Sequence, residues 1–429
     1  MMGVVMRVLC TGDIHIGRRP SYLPGDAAAA HVSTATVWSR MVAHAIEQRV
    51  DVVALAGDVV DRDNRFFEAF GPLEAGLRQL ADAGIETFAV AGNHDHDVLP
   101  RLCESVGTEH FHLLGAGGQW ERFSLRRDDR PLLHLDGWSF PALHVRENPL
   151  DSYNLPPASD APTIGLLHTD LDQLGSLYAP TTLADLRRTP VTLWLLGHVH
   201  EATYRDEAGQ PAVLNPGSPQ PLDPGETGPH GPWLFEIDAA GCRAKRVTLA
   251  TVRYERLDVD VSEVRDQSAF EQHVPTAVLQ HARGLLSDTT TLEYLIYRVR
   301  LTGRTRLHGA LTNAAQALIR DWRSTALGAT VSVDAVVNDT QPDVDLASLA
   351  RGRDAVACLA RLLLAAEQPQ LPEAFEGSRD RITQALSKVH AARPYQILAT
   401  ADTVSLEQLV TSQGRLLLDA LLRQKAGAP

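Results

Sequence analysis

Cysteine is scarce in this chain of 429 residues, which contains four. They are scattered, with no Cys-x-x-Cys pair, at Cys10, Cys103, Cys242 and Cys358. Disulfide-stapled domains are dense in cysteine, and thiolate zinc sites carry paired cysteines. The sequence therefore argues against both, and we expect buried thiols.

Long apolar runs are also missing. No run approaches the roughly 18 residues that span a bilayer. The first ten residues lack the charged start and long apolar stretch of a signal peptide. We therefore expect no membrane segment and a cytoplasmic location. The length predicts two or three domains with ample apolar content to bury.

An excess of positive charge is missing too, because the formal net charge is -13 at pH 7. Such a charge is unusual for a protein that binds nucleic acid. The acidity is concentrated early in the chain: there are 21 basic and 33 acidic residues up to Glu255, and 19 basic and 20 acidic residues after it. Bound divalent cations would neutralise some of these carboxylates. The net charge therefore does not exclude a substrate that carries phosphate.

Five predicted buried strands end in glycine or polar residues. These strands are predicted over residues 7–10, 52–56, 86–90, 163–167 and 191–196. The polar residues at their ends are Asp13, His15, Asp58, Asn93, His94, His168, His198 and His200. Open α/β sheets bind ligands at the carboxyl ends of their strands. A lone histidine is usually a satisfied polar residue, but five coincident strand ends predict that these eight residues converge on one edge of one sheet.

The remaining pattern changes near Arg253. Residues 254–261, 268–285, 292–302, 305–326 and 330–337 predict strand, helix, strand, helix and strand. Three helices are then predicted over residues 346–367, 372–392 and 406–425. We therefore predict three regions: an α/β domain over 1–253, a small α+β domain over 254–341 and a helical region over 342–429.

The ligand types at the strand ends indicate metal chemistry. Carboxylate, imidazole and amide ligands without thiolates suit Mn²⁺, Fe²⁺ or Zn²⁺ better than Cu(I), and the mixture fits two cations that share a bridging carboxylate. Two cations about 3.5 to 4 Å apart can bind two oxygens of a phosphate and lower the pKa of a bridging water. The residues therefore predict phosphoester hydrolysis.

The motifs and their order resemble the metallophosphoesterase superfamily. They are Gly-Asp-x-His at 12–15, Gly-Asp-x-x-Asp-Arg at 57–62, Gly-Asn-His-Asp at 92–95, a lone His168, and Gly-His-x-His at 197–200. Asn-Pro-Gly-Ser at 215–218 and Glu-Thr-Gly-Pro-His-Gly at 226–231 are similar to SbcD/YhaO-type DNA-repair exonucleases of that superfamily. The resemblance implies a metallophosphoesterase β-sandwich flanked by helices, followed by a small α+β capping domain and a helical C-terminal region.

The same resemblance implies two divalent metal ions, with Mn²⁺ as the expected cation. The ligands of the first ion would be Asp13, His15, Asp58 and His200. Those of the second would be Asp58, Asn93, His168 and His198, so Asp58 would bridge.

Catalytic roles are also implied. His94 would bind no metal and would orient the phosphate or protonate the leaving oxygen, with Asp61 orienting His94. Some nucleases of the family have a histidine where Asp61 stands, and the pair formed by Asp61 and Arg62 is also typical of phosphoprotein phosphatases. This departure leaves the substrate class open.

Arginines after residue 297 form a second candidate site. Arg298 and Arg300 would share one face of a strand, and Arg304 and Arg306 follow in the next turn. Phosphate contacts from them would offset the acidic first domain, and a solvated strand face is the alternative. Their pattern resembles the capping domain of the YhaO-like branch, which favours DNA binding by these four and Arg62.

Together, the residues and the resemblance predict a Mn²⁺-dependent DNA nuclease, a 3′-to-5′ exonuclease with some endonuclease activity, in DNA repair or end processing. The resemblance further implies a homodimer and a coiled-coil ATPase partner of the SbcC type. Leucine stripes after Pro342 predict ATPase docking, with packing against their own domain as the alternative. Two other functions stay open: a phosphatase or small-nucleotide phosphodiesterase, and a DNA-end-binding subunit with weak cleavage.

Overall fold

The computed structural model describes residues 5–23, 32–61, 69–107, 109–158, 160–173, 175–238, 241–287, 291–366, 384 and 406–425. Its contacts divide the chain into two compact units. The first consists of Met1–Arg256, His281–Tyr297 and Arg323–Asp334, and the second of Leu257–Gln280, Arg298–Trp322 and Ala335–Pro429. The domain bounds 1–253, 254–341 and 342–429 stay a prediction.

The described residues form strands and helices along the whole length of the chain. The strands are β1 (Met6–Thr11), β2 (Val52–Ala56), β3 (Glu86–Val90), β4 (Phe111–Leu113), β5 (Glu121–Arg127), β6 (Arg130–Trp138), β7 (Thr163–His168), β8 (Leu193–Gly197), β9 (Thr203–Arg205), β10 (Ala212–Asn215), β11 (Trp233–Asp238), β12 (Gly241–Arg246), β13 (Val252–Asp260), β14 (Tyr294–Thr302), β15 (Arg304–Thr305), β16 (Arg323–Ala326), β17 (Ala329–Asn338) and β18 (Gln341–Pro342). The helices are α1 (Thr34–Glu47), α2 (Phe70–Asp82), α3 (Leu99–Val106), α4 (Leu183–Arg188), α5 (Gln267–Leu286), α6 (Leu311–Asp321), α7 (Leu346–Leu349), α8 (Ala355–Ala366) and α9 (Leu406–Lys425).

Two six-stranded sheets build the first unit. Their orders are β12-β11-β1-β2-β3-β4 and β5-β6-β7-β8-β10-β9. In the first sheet β1, β2, β3 and β4 run parallel, and in the second β6, β7, β8 and β10 do. A shared apolar core, with Val8, Ala54 and Phe88 from one sheet and Leu166 and Leu195 from the other, packs between them. The sheets therefore form a sandwich.

Helices cover the outer face of the first sheet. Leu9, Val53 and Leu55 point from β1 and β2 into a second apolar cluster, which contains Trp38 of α1 and Leu77 of α2. The strands β1 and β2 are apolar on both sides because each side is buried, which is why they read as continuous runs. The carboxyl ends of these strands are thereby fixed by packing on two faces.

Two sequence expectations of the fold are corrected here. The five strand ends do not lie on one sheet, because β1, β2 and β3 belong to one sheet and β7 and β8 to the other. The implied β-sandwich flanked by helices is confirmed. The helix predicted over 305–326 is too long: α6 ends at Asp321 and β16 begins at Arg323, where pairing with β17 replaces helical bonds.

Smaller differences concern the C-terminal region and the thiols. The helix predicted over 346–367 is broken into α7 and α8 at Gly352. Of the four thiols, which were all expected to be buried, Cys10 is buried, Cys103 and Cys242 are half-buried and Cys358 is exposed. The helix predicted over 372–392 falls outside the described residues apart from Gln384. Among the described residues, no helix is long and apolar enough to cross a membrane.

The contact between α1 and α2 gives a stability prediction. The Trp38 indole N–H donates to the Pro72 carbonyl at 3.0 Å, and a Cβ at Gly76 would overlap the indole. Gly76→Ala should therefore lower the free energy of unfolding by about 1 to 3 kcal/mol. Gly71→Ala, in the same helix but with no atom within 4 Å of its new Cβ, should not lower it. Denaturant midpoints of both variants test this, and equal destabilisation would contradict the packing.

Candidate metal centre

Strand exits from both sheets supply the predicted ligands. Asp13 and His15 follow β1, Asp58 follows β2, and Asn93 follows β3. The second sheet supplies His168, His198 and His200, from the ends of β7 and β8. All seven predicted metal ligands therefore come from the carboxyl ends of parallel strands, as the sequence predicts.

The exit loops of β1 and β2 hold a strained backbone. Asp13, His15 and Asp58 have φ values of 50°, 49° and 49°, in the left-handed region that residues with a Cβ rarely adopt. Backbone hydrogen bonds join the loops; among them, Asp13 N–H donates to the Gly57 carbonyl at 3.0 Å and His15 N–H to the Asp58 carbonyl at 2.9 Å. Strain of this kind clusters at functional sites, where the surrounding structure maintains it.

The Asp58 carboxylate lies between side chains from both sheets. Its Oδ1 accepts a hydrogen bond from the His94 backbone N–H at 2.8 Å. Its Oδ2 is 3.4 Å from His168 Nε2 and 3.8 Å from His15 Nε2. This central position suits a bridging ligand.

His168 is fixed with one ring nitrogen facing the centre. Its Nδ1–H donates to the Ala56 carbonyl at 3.0 Å, which leaves Nε2 as the acceptor nitrogen. That nitrogen is 3.1 Å from Asn93 Oδ1. Such an outer hydrogen bond is the usual way to set the tautomer of a metal-binding histidine. No Cβ fits at the neighbouring Gly57, since it would lie 2.6 Å from His168 Nδ1.

His15 and His200 approach each other on the other side of Asp58. Their Nε2 atoms are 3.2 Å apart. Asp13 completes this side, and both of its carboxylate oxygens accept from the His198 backbone N–H at 3.0 Å. Ligand atoms lie within 4.8 Å of one another in three groups: Asp13, His15 and His200; Asp13, Asp58 and His168; and His15, Asp58 and His94. The side chains thus fit two cations that share Asp58.

Burial sets the electrostatics of the site. Asp13 and Asp58 are 0% and 2% exposed, and within the described part of the chain neither pairs with a lysine or arginine. Burial raises the pKa of Asp13. Burial also acts to raise the pKa of Asp58, but the histidine charges, that of His168 first, outweigh it and lower this pKa. Burial, followed by the charge of His168, lowers the pKa of His198 to about 3, so its imidazole is neutral and able to bind a metal.

His94 stands at the open side of the centre. Its side chain is 32% exposed, whereas that of Asp61 is 6% exposed. Asp61 Oδ1 lies 3.6 Å from His94 Nδ1 and 3.5 Å from His15 Nδ1, so the carboxylate faces both rings. The nearby Asp61 carboxylate raises the pKa of His94. This environment favours an imidazolium that can donate a proton to a substrate oxygen.

Asp95 was missed as a site residue by the sequence reasoning, although it ends the Gly-Asn-His-Asp motif. Its Oδ1 accepts from Gly92 N–H at 2.8 Å, and its Oδ2 accepts from Val59 N–H at 2.7 Å and Val60 N–H at 3.2 Å. It therefore ties the exit loop of β2 to that of β3. Burial and the charge of Asp58 raise the pKa of Asp95 to about 7.

Glu226 was also missed, because it lies in a loop far along the chain. Its Oε1 is 3.0 Å from His200 Nδ1. Burial acts to lower the pKa of His200, but Glu226 and the charges of Asp13 and Asp58 raise it, to about 9. The motif at 226–231 was the available signal.

Four of the predicted DNA-binding arginines lie far along the chain from these residues, whereas Arg62 directly follows Asp61. Arg62 falls outside the described residues. Arg300 pairs with Asp258 at 2.5 Å and with Asp339 at 3.5 Å, and Arg306 pairs with Asp343 at 3.4 Å. The four arginines at 298, 300, 304 and 306 stay a prediction.

Comparison with known proteins agrees with this geometry. The profile of the calcineurin-like phosphoesterase family matches residues 6–202. The profile of the middle domain of metallophosphoesterase YhaO matches residues 254–341.

Two curated relatives and one solved structure are similar to the chain. An uncharacterized metallophosphoesterase YhaO of Bacillus subtilis is 30% identical over 59% of this chain and 62% of its own length. The DNA double-strand break repair protein Mre11 of Haloferax volcanii is 28% identical over 60% of this chain and 55% of its own. The crystal structure of TT1561 of Thermus thermophilus is 18% identical, covers 57% of this chain and 99% of its own, and has a TM-score of 0.36. The chain spans about six tenths of the length of these curated relatives.

The sandwich with its ligand-bearing strand exits is that of a calcineurin-like phosphoesterase. Residues 6–202 are those of a metallophosphoesterase, and residues 254–341 match the YhaO type.

Asp58→Ala should abolish phosphodiester cleavage and lower the bound metal content. Without the shared carboxylate, both cations would be under-coordinated and would repel each other more strongly. Metal analysis and cleavage rates of the purified variant test this, with Asp82→Ala on the exposed end of α2 as the control. Two cations at full occupancy with normal turnover would remove Asp58 from the bridging position.

His94→Ala should keep both metal ions but lower turnover by about 10²-fold or more, because it removes a proton donor and not a ligand. Asp61→Asn should show a milder defect. It should also move the fall in rate at alkaline pH to lower pH, since the carboxylate that raises the pKa of His94 is gone. The measurements are metal content and pH–rate profiles. His110→Ala is the control, because His110 contacts Glu86 at the amino end of β3. Loss of metal from His94→Ala, or an unmoved alkaline limb in Asp61→Asn, would contradict these roles.

Proposed function

We propose that the protein is a two-metal-dependent DNA nuclease. The observation that carries this proposal is the position of Asp58, a buried carboxylate between His15 and His168 with oxygen and nitrogen ligands on either side. The expected cation is Mn²⁺, because the ligand set has no thiolate and mixes carboxylate, amide and imidazole.

The residues divide the chemistry between binding and proton transfer. Two cations bound there would clamp the scissile phosphate and lower the pKa of an attacking water. Asp13, His15, Asp58 and His200 would hold one cation, and Asn93, His168 and His198 would complete the other with Asp58. His94 would protonate the leaving oxygen from the open side, and Asp61 would orient its ring.

DNA is the proposed substrate, with 3′-to-5′ exonuclease and some endonuclease cleavage in DNA repair or end processing. Support comes from the relative named a DNA double-strand break repair protein, and from the YhaO-type segment with its arginines. The His94 side chain, which is 32% exposed, is accessible to a substrate. A phosphatase or small-nucleotide phosphodiesterase, and a DNA-end-binding subunit with weak cleavage, are the other outcomes.

The test is cleavage of end-labelled single-stranded and double-stranded DNA by the purified chain with Mn²⁺, with product lengths followed over time. Progressive shortening from 3′ ends, absent from the Asp58→Ala variant, is the expected result. Faster turnover of a small phosphomonoester than of DNA would indicate that the protein is a phosphatase and not a nuclease. Tight DNA binding without cleavage at any metal concentration would favour the end-binding subunit.

The arginines of β14 and the turn after it should contribute to DNA affinity. Val299 and Leu301 are buried, Arg300 is exposed and Arg298 is half-buried. Replacing the arginines at 298, 300, 304 and 306 together by glutamine should weaken binding equally for all sequences. It should also reduce the slope of log affinity against log salt by up to about 4, because phosphate contacts release counterions.

The matched control for this variant replaces four other exposed arginines of the second unit, at 265, 320, 351 and 353. Hydrolysis of a small phosphodiester should be normal in both variants. An unchanged salt slope in the first variant, or an equal loss in the control, would assign the four arginines to a solvated strand face.

We also propose a homodimer, a cytoplasmic location and docking of a coiled-coil ATPase of the SbcC type on the C-terminal helices. The sequence predicts two leucine stripes, one of Leu349, Val356, Leu359 and Leu363 and one of Leu416, Leu417, Ala420 and Leu421. The first stripe packs internally with Leu418 of α9, and Leu421 of the second packs against the same cluster. Leu416 and Leu417 are 52% and 54% exposed. A groove of about 630 Å³ between these helices is lined by Leu359, Leu362, Leu417 and Leu421 among others, and it suits an apolar partner helix.

Leu416→Ser with Leu417→Ser should therefore abolish co-purification with the ATPase while leaving the metal centre and DNA cleavage intact. Gln413→Ser with Gln424→Ser, on the same helix at exposed polar positions, is the control. Co-purification and thermal melting are the measurements. Undiminished association of the leucine variant would move the docking site to another surface.

A further inference from the structure

Glu226 occupies the outer side of the His200 ring. The ring presents Nε2 to the centre, where it meets His15 Nε2 at 3.2 Å, and Nδ1 to Glu226 Oε1 at 3.0 Å. Because the two ring nitrogens point in different directions, Glu226 faces away from the cation that His200 would bind. Its carboxylate cannot then be an additional metal ligand through this contact. It can accept the Nδ1–H and so leave the Nε2 lone pair for the metal.

The second oxygen of Glu226 fixes the carboxylate itself. Oε2 accepts from the Ser218 hydroxyl at 2.7 Å and from the Leu222 backbone N–H at 3.0 Å. The Ser218 side chain and the Leu222 amide therefore hold Glu226 in one orientation. A carboxylate fixed in this way can restrain the ring of its histidine partner.

The backbone of His200 is held by the same loop. Ser218 N–H donates to the His200 carbonyl at 3.1 Å. Gly217, at φ 70°, passes so close that a Cβ there would lie 2.5 Å from that carbonyl oxygen. His230 Nδ1 in turn bonds the Ser218 carbonyl at 2.7 Å. The Asn-Pro-Gly-Ser segment and the Glu-Thr-Gly-Pro-His-Gly segment thus converge on one ligand.

We infer that Glu226 is a positioning residue that orients His200 for the first cation, with Ser218 fixing Glu226. The inference rests on the proposed function, in which His200 is a ligand. By this inference the loop over 216–232 contributes to metal binding. The affinity for the first cation depends on Glu226, whereas the affinity for the second cation, which His168 and His198 would hold, does not. Removing an outer carboxylate of this kind costs about 10- to 100-fold in metal affinity.

The experiment is calorimetric titration of the full-length, chelator-treated protein with Mn²⁺. Glu226→Ala should weaken one of two binding events by about 10- to 100-fold and leave the other unchanged. Glu226→Gln should lose less, because an amide oxygen still accepts the Nδ1–H, and Ser218→Ala should also lose less. Glu201→Ala is the matched control, since Glu201 lines the same cavity of about 350 Å³ as Glu226 but is exposed and directly follows His200 in the chain.

The His200→Ala variant distinguishes failure of this inference from failure of the proposed function on which it rests. If His200→Ala loses one cation while a folded Glu226→Ala binds two with unchanged affinity, the positioning role is overturned and the ligand set stands. If His200→Ala itself binds two cations normally, both fail. Thermal melting of the metal-free variants reports folding. Should Glu226→Ala not fold, unchanged Mn²⁺ binding by both Glu226→Gln and Ser218→Ala overturns the inference.

Discussion

Two buried carboxylates at the end of a β-sandwich need positive charge that the described part of the protein does not supply through lysine or arginine. Asp13 and Asp58 are buried at 0% and 2% exposure and are surrounded by imidazoles. An unpaired buried carboxylate is costly, and burial disfavours the charged form of an imidazole as well. Cations resolve both problems, because they neutralise the carboxylates and use the imidazole lone pairs. The other residues of the site hold these carboxylates and imidazoles in position.

Two residues outside the predicted ligand set, Asp95 and Glu226, hold the predicted ligands in position. Asp95 binds three backbone N–H groups from two exit loops, and so fixes Asp58 and Asn93 relative to each other. Glu226 acts on His200 from the loop that connects β10 to β11. The left-handed backbone at Asp13, His15 and Asp58 shows that the loops are held in conformations their residues would not choose alone. The predicted metal ligands thus depend on Asp95 and Glu226, neither of which is a predicted ligand itself.

The parts of this arrangement that were predictable from sequence have a local signal. Strands β2 and β3 and helix α9 have the predicted bounds, because buried apolar runs and leucine periodicity need no distant partner to be recognised. The ligand types at strand exits were predictable for the same reason. Their assembly from two sheets instead of one was not, since sheet membership depends on which strands pair with each other and leaves no local pattern. Strand β16 was missed because its four residues, Arg-Ser-Thr-Ala, directly follow a helix and become a strand only by pairing with β17. Asp95 and Glu226 were missed as site residues because their roles are hydrogen bonds to partners elsewhere in the chain.

Anomalous diffraction from crystals of the protein grown with Mn²⁺ tests the central claim most directly. The account predicts two manganese peaks about 3.5 to 4 Å apart, with the Asp58 carboxylate between them and His94 bound to neither. A single peak, or a manganese ion coordinated by His94 in place of His168 or His200, would contradict it.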